Sequence, residues 1–178
     1  MNLAKFAVRG PAALALALAL GSCGGGPAPP SFVCPPPLTV QDASRITHFK
    51  DGPGRDPRDI AYEAVLVNAG SACQLGKKAI DVTVVMIVSV SAGPAVTAGQ
   101  TRVPYFVRVI DGSGAVRQGQ DFTADFKLSA ASPRGESREE LSLSLPFNEI
   151  SDLTGYRIAV GLKPSPEELN YNRRAGGR

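Results

Sequence analysis

The 178-residue chain carries 19 basic and 16 acidic residues, a formal +3, with 43% hydrophobic residues, one histidine and no tryptophan. That length holds one domain of ordinary size beyond an export signal, with no room for a second large core. No basic stripe with interleaved aromatics occurs, which disfavours nucleic-acid binding, and 15 Pro with 19 Gly point to many turns and a flexible end.

At the N-terminus, Lys5 and Arg9 form a positive n-region, residues 11–20 are an Ala/Leu segment, and small residues follow. This is the pattern of a secretory signal. The apolar run falls short of the roughly 20 residues that span a bilayer. Without Lys5 and Arg9 the mature chain has 17 basic against 16 acidic residues, a formal +1. Leu20-Gly21-Ser22-Cys23 resembles the lipobox of bacterial lipoproteins, with Leu20 at the large aliphatic position, Gly21 and Ser22 at the small ones, and Cys23 as acceptor. The resemblance covers residues 1–23 and implies a signal peptide of residues 1–22, diacylglycerol on the Cys23 thiol, and a new amino group open to further acylation. Gly24, where that family uses Asp for inner-membrane retention, favours the periplasmic face of the outer membrane. Each buried lipid CH₂ contributes roughly 0.8 kcal/mol, so two or more chains anchor stably where one is marginal. The alternative is an ordinary signal cut near Ala19 or Gly21, leaving Cys23 a free thiol.

Residues 23–37 read as the acylated Cys and a Gly/Pro-rich tether, flexible and then extended. With Cys23 taken by lipid, Cys34 and Cys73 remain as an even pair in an oxidising compartment, where a disulfide is the natural outcome. The loop of roughly 40 residues would be worth about 4 kcal/mol on a chain-entropy model. Two free thiols are one alternative, and a metal site the other, although two Cys and the distant His48 have no zinc spacing. No metal or other cofactor is expected.

In chain order, residues 45–50 alternate as a first strand, and Asp51 to Asp59 (DGPGRDPRD) reads as a loop. Its three carboxylates invite a calcium reading, which Arg55, Arg58 and the turn-forming Pro and Gly oppose. A strand over residues 60–68 should turn at Ala69-Gly70-Ser71. In residues 79–91, Val82, Val84, Met86, Val88 and Val90 share one face and the other is mixed, which predicts a central strand. Residues 102–110 place Val103, Tyr105, Val107 and Val109 together, with Pro104 predicting that this strand begins or edges a sheet. Asp111-Gly112-Ser113-Gly114 is a turn signal. Phe122, Ala124, Phe126 and Leu128, and later Leu141, Leu143, Leu145 and Phe147, give two more strands with one dry face each.

Asp121 and Asp125 suggest a catalytic carboxylate pair, but residues four apart on a strand lie about 13 Å apart, which favours a solvated face. The last strand, residues 156–163, sits in the run LTGYRIAV, which resembles the tyrosine corner of fibronectin type III and immunoglobulin-like domains. The resemblance implies a Tyr156 hydroxyl bonded to nearby backbone across two sheets; a plain strand with a core-facing Tyr is the alternative. Ser165, Pro166 and Glu168 make a capping box for a short helix through about Tyr171, followed by a basic tail with Arg173, Arg174 and Arg178.

These elements predict an all-β, immunoglobulin-like or fibronectin III-like sandwich of about seven strands over residues 38–163, with a short helix and tail over 164–178. Chemistry is sparse: His48 has no recognisable catalytic context, and neither Walker A nor dinucleotide-binding glycine patterns occur. The expected function is therefore a non-catalytic, membrane-anchored protein-binding or scaffolding module in the periplasm, with the bilayer and an envelope protein as partners. A small-ligand or carbohydrate carrier is the alternative, and a hydrolase built on His48 the third reading.

Overall fold

A computed structural model describes residues 32–175. Eight strands follow in order: β1 (Pro37–Thr39), β2 (Arg45–Phe49), β3 (Ile60–Leu75), β4 (Ala79–Ala92), β5 (Gly99–Ile110), β6 (Val116–Leu128), β7 (Arg134–Pro146) and β8 (Arg157–Leu162), then helix α1 (Pro166–Ala175). They form an all-β sandwich of two four-stranded sheets, ordered β1-β8-β5-β6 and β2-β3-β4-β7. The count is eight rather than about seven, because the three-residue β1 pairs in parallel with β8. Residues 1–31 and 176–178, which include the expected signal, Cys23 and Arg178, lie outside the described residues.

Alternation sets the interior. The five predicted inward residues of β4, Val82, Val84, Met86, Val88 and Val90, meet Val103, Tyr105, Val107 and Val109 of β5 and Ile158, Val160 and Leu162 of β8 in one core. Each Val or Leu so buried stabilises the fold by roughly 1.5–3 kcal/mol. β4 is central, flanked by β3 and β7. On β7 the inward Gly135 leaves room for the Phe126 ring, since a Cβ there would lie 2.9 Å from Phe126 Cδ1.

Two local expectations are corrected. No turn interrupts residues 69–71; β3 runs on to Leu75 opposite an unbroken β4. The register steps between Leu66 and Asn68, so Val67 is an extra residue, 57% exposed. This bulge reverses the parity of the strand, bringing Ala69, Ser71, Cys73 and Leu75 opposite Met86, Val84, Val82 and Ile80. Likewise, β5 is internal, between β8 and β6. It tolerates Pro104 because the Pro104 carbonyl accepts from Lys163 N (2.8 Å) just beyond the end of β8. The missing N–H points to the same side, where no further β8 residue needs it.

Other signals are realised locally. Asp111 closes the β5–β6 hairpin by accepting from Ser113 N (2.9 Å), Ser113 Oγ (2.6 Å) and Ala115 N (3.0 Å), with Gly114 at φ +85°. The Tyr156 hydroxyl donates to the Pro146 carbonyl (2.9 Å), tying the start of β8 to the end of β7 in the opposite sheet. α1 carries the Ser165–Glu168 capping box and extends past Tyr171 to Ala175, with Arg173 and Arg174 in its last turn, where cations suit the helix dipole.

Cys34 and Cys73 form a disulfide, with Cα atoms 5.6 Å apart. It joins the segment leading into β1 of one sheet to β3 of the other, and Ser71 Oγ donates to the Pro35 carbonyl beside it (2.8 Å). Phe32 and Cys34 pack against the core, so the fold holds the last residues of the expected tether. Reducing the bond, or replacing both cysteines by alanine, is expected to lower the unfolding free energy by about 2–5 kcal/mol. Urea unfolding with and without a thiol reductant measures it, and the double variant should show no response to reductant.

Candidate functional site

The sandwich is open at one end, where β2 and β3 of one sheet face the first residues of β5 in the other. A cleft of about 460 Å³ lies there, lined by His48, Lys50 and Tyr62, the connection at Val96 and Thr97, and Gln100 to Arg102. Its size falls within the roughly 300–1,000 Å³ of ligand clefts.

Pairing builds the His48 side of the cleft. His48 is opposite Tyr62 in the β2–β3 ladder, and their rings stack with centroids 4.7 Å apart and planes at 23°. The Tyr62 hydroxyl crosses to the other sheet and donates to the Arg102 carbonyl (3.2 Å). Burial, with the Glu168 charge adding to it, pushes the Tyr62 phenol up to about 12, so it stays a donor at neutral pH.

α1 supplies the third side. Glu168 Oε1 lies 2.7 Å from His48 Nδ1, and Glu168 Oε2 accepts from Ser165 N (2.7 Å). Burial opposes ionisation of Glu168, but the His48, Ser165 amide and Ser165 hydroxyl hydrogen bonds outweigh it and leave its pKa lowered. A carboxylate only accepts. Nδ1 therefore carries the proton in this contact, and Nε2 is the free ring nitrogen of a side chain 46% exposed. The helix is held along β2 by the Phe49–Tyr171 edge contact (5.0 Å), by Asn172 Nδ2 donating to the Arg45 carbonyl (2.7 Å), and by Arg55–Glu167 and Arg173–Asp42 ion pairs.

The other sequence candidates are placed elsewhere. Asp56 caps the turn Pro57–Asp59 and bonds Arg58, and Asp59 pairs with Lys50 (2.8 Å), so loop geometry and cations occupy both carboxylates. Asp121 bonds Arg108 (2.5 Å) and Lys163, whereas Asp125 accepts from Gln100 (3.0 Å). Separate partners make them two surface ion sites rather than one pair. Among the described residues no cluster of three His, Cys, Asp or Glu could hold a metal ion.

One polar group went unread in the sequence. Glu139 faces inward from β7 and accepts from the buried Tyr105 hydroxyl (2.7 Å) and from Ser137 Oγ (2.5 Å). Burial first, then the Glu139 hydrogen bond and charge, raise the Tyr105 phenol well above its ordinary value. Its signal was parity: residue 139 shares a face with Leu141, Leu143 and Leu145.

Fold and cleft define an all-β sandwich with a hydrogen-bonded opening between its sheets. The chain matches no protein-family model, and no curated protein or solved structure matches it.

Because the folded pKa of Glu168 lies below its ordinary 4.5, its stabilising contribution is complete above that value and is lost as pH falls through the folded pKa. Glu168→Gln is expected to lower stability by about 1–2 kcal/mol near pH 7. In denaturant titrations, the gap to wild type should close as the pH drops below the carboxylate range.

Proposed function

We propose that the protein is a lipoprotein of the bacterial cell envelope, anchored through acylated Cys23 and favouring the periplasmic face of the outer membrane. Its sandwich serves there as a non-catalytic protein-binding or scaffolding module. The observation that carries the reading is the succession Leu20-Gly21-Ser22-Cys23, GGGPAPPS, and then a domain entered through a disulfide-held segment. A disulfide suits the oxidising side of the inner membrane. From Cys23 to Phe32 the chain can reach about 30 Å when extended. Among the described residues no helix is long and apolar enough to cross a membrane, so in this reading attachment rests on lipid.

The site chemistry favours binding over turnover. Among the described residues the hydrogen bond of the His48 ring is to a carboxylate, and both thiols are consumed in the disulfide. A hydrolase would need a nucleophile hydrogen-bonded to that imidazole. A carrier would need an apolar chamber, whereas the space between these sheets is filled by valine, leucine and isoleucine side chains.

Growth with a labelled fatty acid tests the anchor. Wild type should take up label and remain with membranes through a high-salt wash, whereas Cys23→Ser should be unlabelled and released. Label retained by Cys23→Ser would refute the assignment.

A further inference from the structure

We infer that the outer edge of β7 is a self-pairing surface, on which a second copy of this chain adds antiparallel about a two-fold axis at Ser137. The inference rests on the protein-binding reading and names a second copy as one partner of the module.

The two ends of β7 show which of its main-chain groups stand open. Ala92 N donates to the Pro133 carbonyl (2.7 Å) and Phe147 N to the Lys78 carbonyl (3.0 Å), both in register with the β4–β7 ladder. In an antiparallel pair, residues whose main-chain groups face the neighbour alternate with residues whose groups face away. Odd-numbered residues of β7 therefore bond β4, and even-numbered ones face out from the edge of the sheet. That edge is closed towards its C-terminal end, where the Ser144 carbonyl accepts from Gln118 Nε2 (3.2 Å) and the Pro146 carbonyl from the Tyr156 hydroxyl (2.9 Å). From Arg134 to Ser142 the even main-chain groups meet no partner among the described residues.

The side chains of the same residues supply recognition. Arg134, Glu136, Arg138 and Glu140 are exposed and alternate in sign. Charge of one sign guards an edge against any strand, but an alternating row is complementary to its own reverse. With the axis at Ser137, Arg134 meets Glu140 of the second copy and Glu136 meets its Arg138, and the symmetry repeats both contacts. These are the hydrogen-bonded pairs of the new ladder, and opposite charges directly across such a pair stabilise it. Sliding the copy by two residues sets Arg138 or Glu136 against itself, and sliding it by one turns the dry face outward. Within the chain, Arg138 and Glu140 bond each other (2.9 Å) with side chains 58% and 56% exposed, whereas Arg134 and Glu136 form no ion pair among the described residues. On the inward side Ser137 meets Ser137 and Gly135 meets Glu139, so no two bulky side chains oppose each other. The axis stands perpendicular to the joined sheet, which puts the chain entries of both copies on one side of it, as two anchors in one leaflet require.

The other edges lack this self-complementarity. β6 also spans 13 residues, but reversing it about its middle sets Arg117 against Lys127. Its carboxylates are held within its own sheet, Asp121 by Arg108 and Lys163, and Asp125 by Gln100. β2 is covered by α1.

The test uses the full lipidated chain in its membrane. In this register the two Ser137 Cα atoms lie about 4.5 Å apart, within reach of a disulfide, whereas Ser142 is roughly 33 Å from its counterpart. Under mild oxidation Ser137→Cys is expected to give a reductant-sensitive dimer at least tenfold more abundant than that of Ser142→Cys. In the Ser137→Cys background, Arg134→Glu with Arg138→Glu makes the row acidic, and Glu136→Arg with Glu140→Arg makes it basic. Each should lower the dimer yield at least fivefold at an unchanged melting temperature, because all four side chains are exposed. Coexpressing the two under different tags should restore a mixed dimer to within twofold of the parent yield. Folded Ser137→Cys that cross-links no better than Ser142→Cys would overturn the inference. So would an undiminished yield from either row variant, or a mixture that restores nothing. If the protein stays monomeric while cross-linking to other envelope proteins, the second copy fails as partner and the protein-binding reading stands.

Discussion

The early end of β8 is the constraint around which the open end of this sandwich is arranged. A strand inside a sheet needs hydrogen-bonding neighbours on both sides, and β5 has one on both sides only from Tyr105 to Ile110. The six residues before that, Gly99 to Pro104, depend on three different substitutes. Pro104 lacks the donor that would go unpaired, Lys163 supplies the last amide, and the Tyr62 hydroxyl reaches over from the facing sheet. The same departure of the chain after Leu162 delivers Ser165 and Glu168 to His48. Cleft and helix are thus two results of one chain exit.

The two ends of the domain have different tasks. At one, the incoming chain is held by the Cys34–Cys73 disulfide and by Ser71 on the Pro35 carbonyl. At the other, some 11 residues back along β3, Tyr62 closes the floor of the cleft. The strand rise makes that separation about 36 Å. The polar opening therefore lies at the end remote from the crosslinked entry of the chain. The long edge of β7 carries alternating charge and that of β2 is covered by α1, while β6 forms the other long edge of the sandwich.

Much of the core was legible as alternation. Val82 to Val90, Val103 to Val109, Phe126, Leu128, Leu143 and Leu145 declare their inward faces because nothing else explains period-two apolarity. What failed was parity at a single residue: Ala69-Gly70-Ser71 reads as a turn from composition, but small residues also continue a strand whose face has been reset by the Val67 bulge. Pro104 was read as an edge marker and marks instead the local end of a neighbour. Glu139 escaped because a carboxylate on an inward face contradicts the apolar pattern unless its Tyr105 partner is known. The cleft itself joins residues 48, 62, 102 and 168 across both sheets and a helix, and no spacing along the chain announces such a meeting.

Native-state hydrogen exchange of the protein tests the account of β5 most directly. Thr101 and Val103 point their amides at β6 and should be protected, whereas the Gln100 and Arg102 amides should exchange orders of magnitude faster despite lying in the same strand. Alternating protection along these four residues is the expected result. Uniform protection through Gln100 and Arg102 would mean that the β8 side is already paired, and would contradict the account.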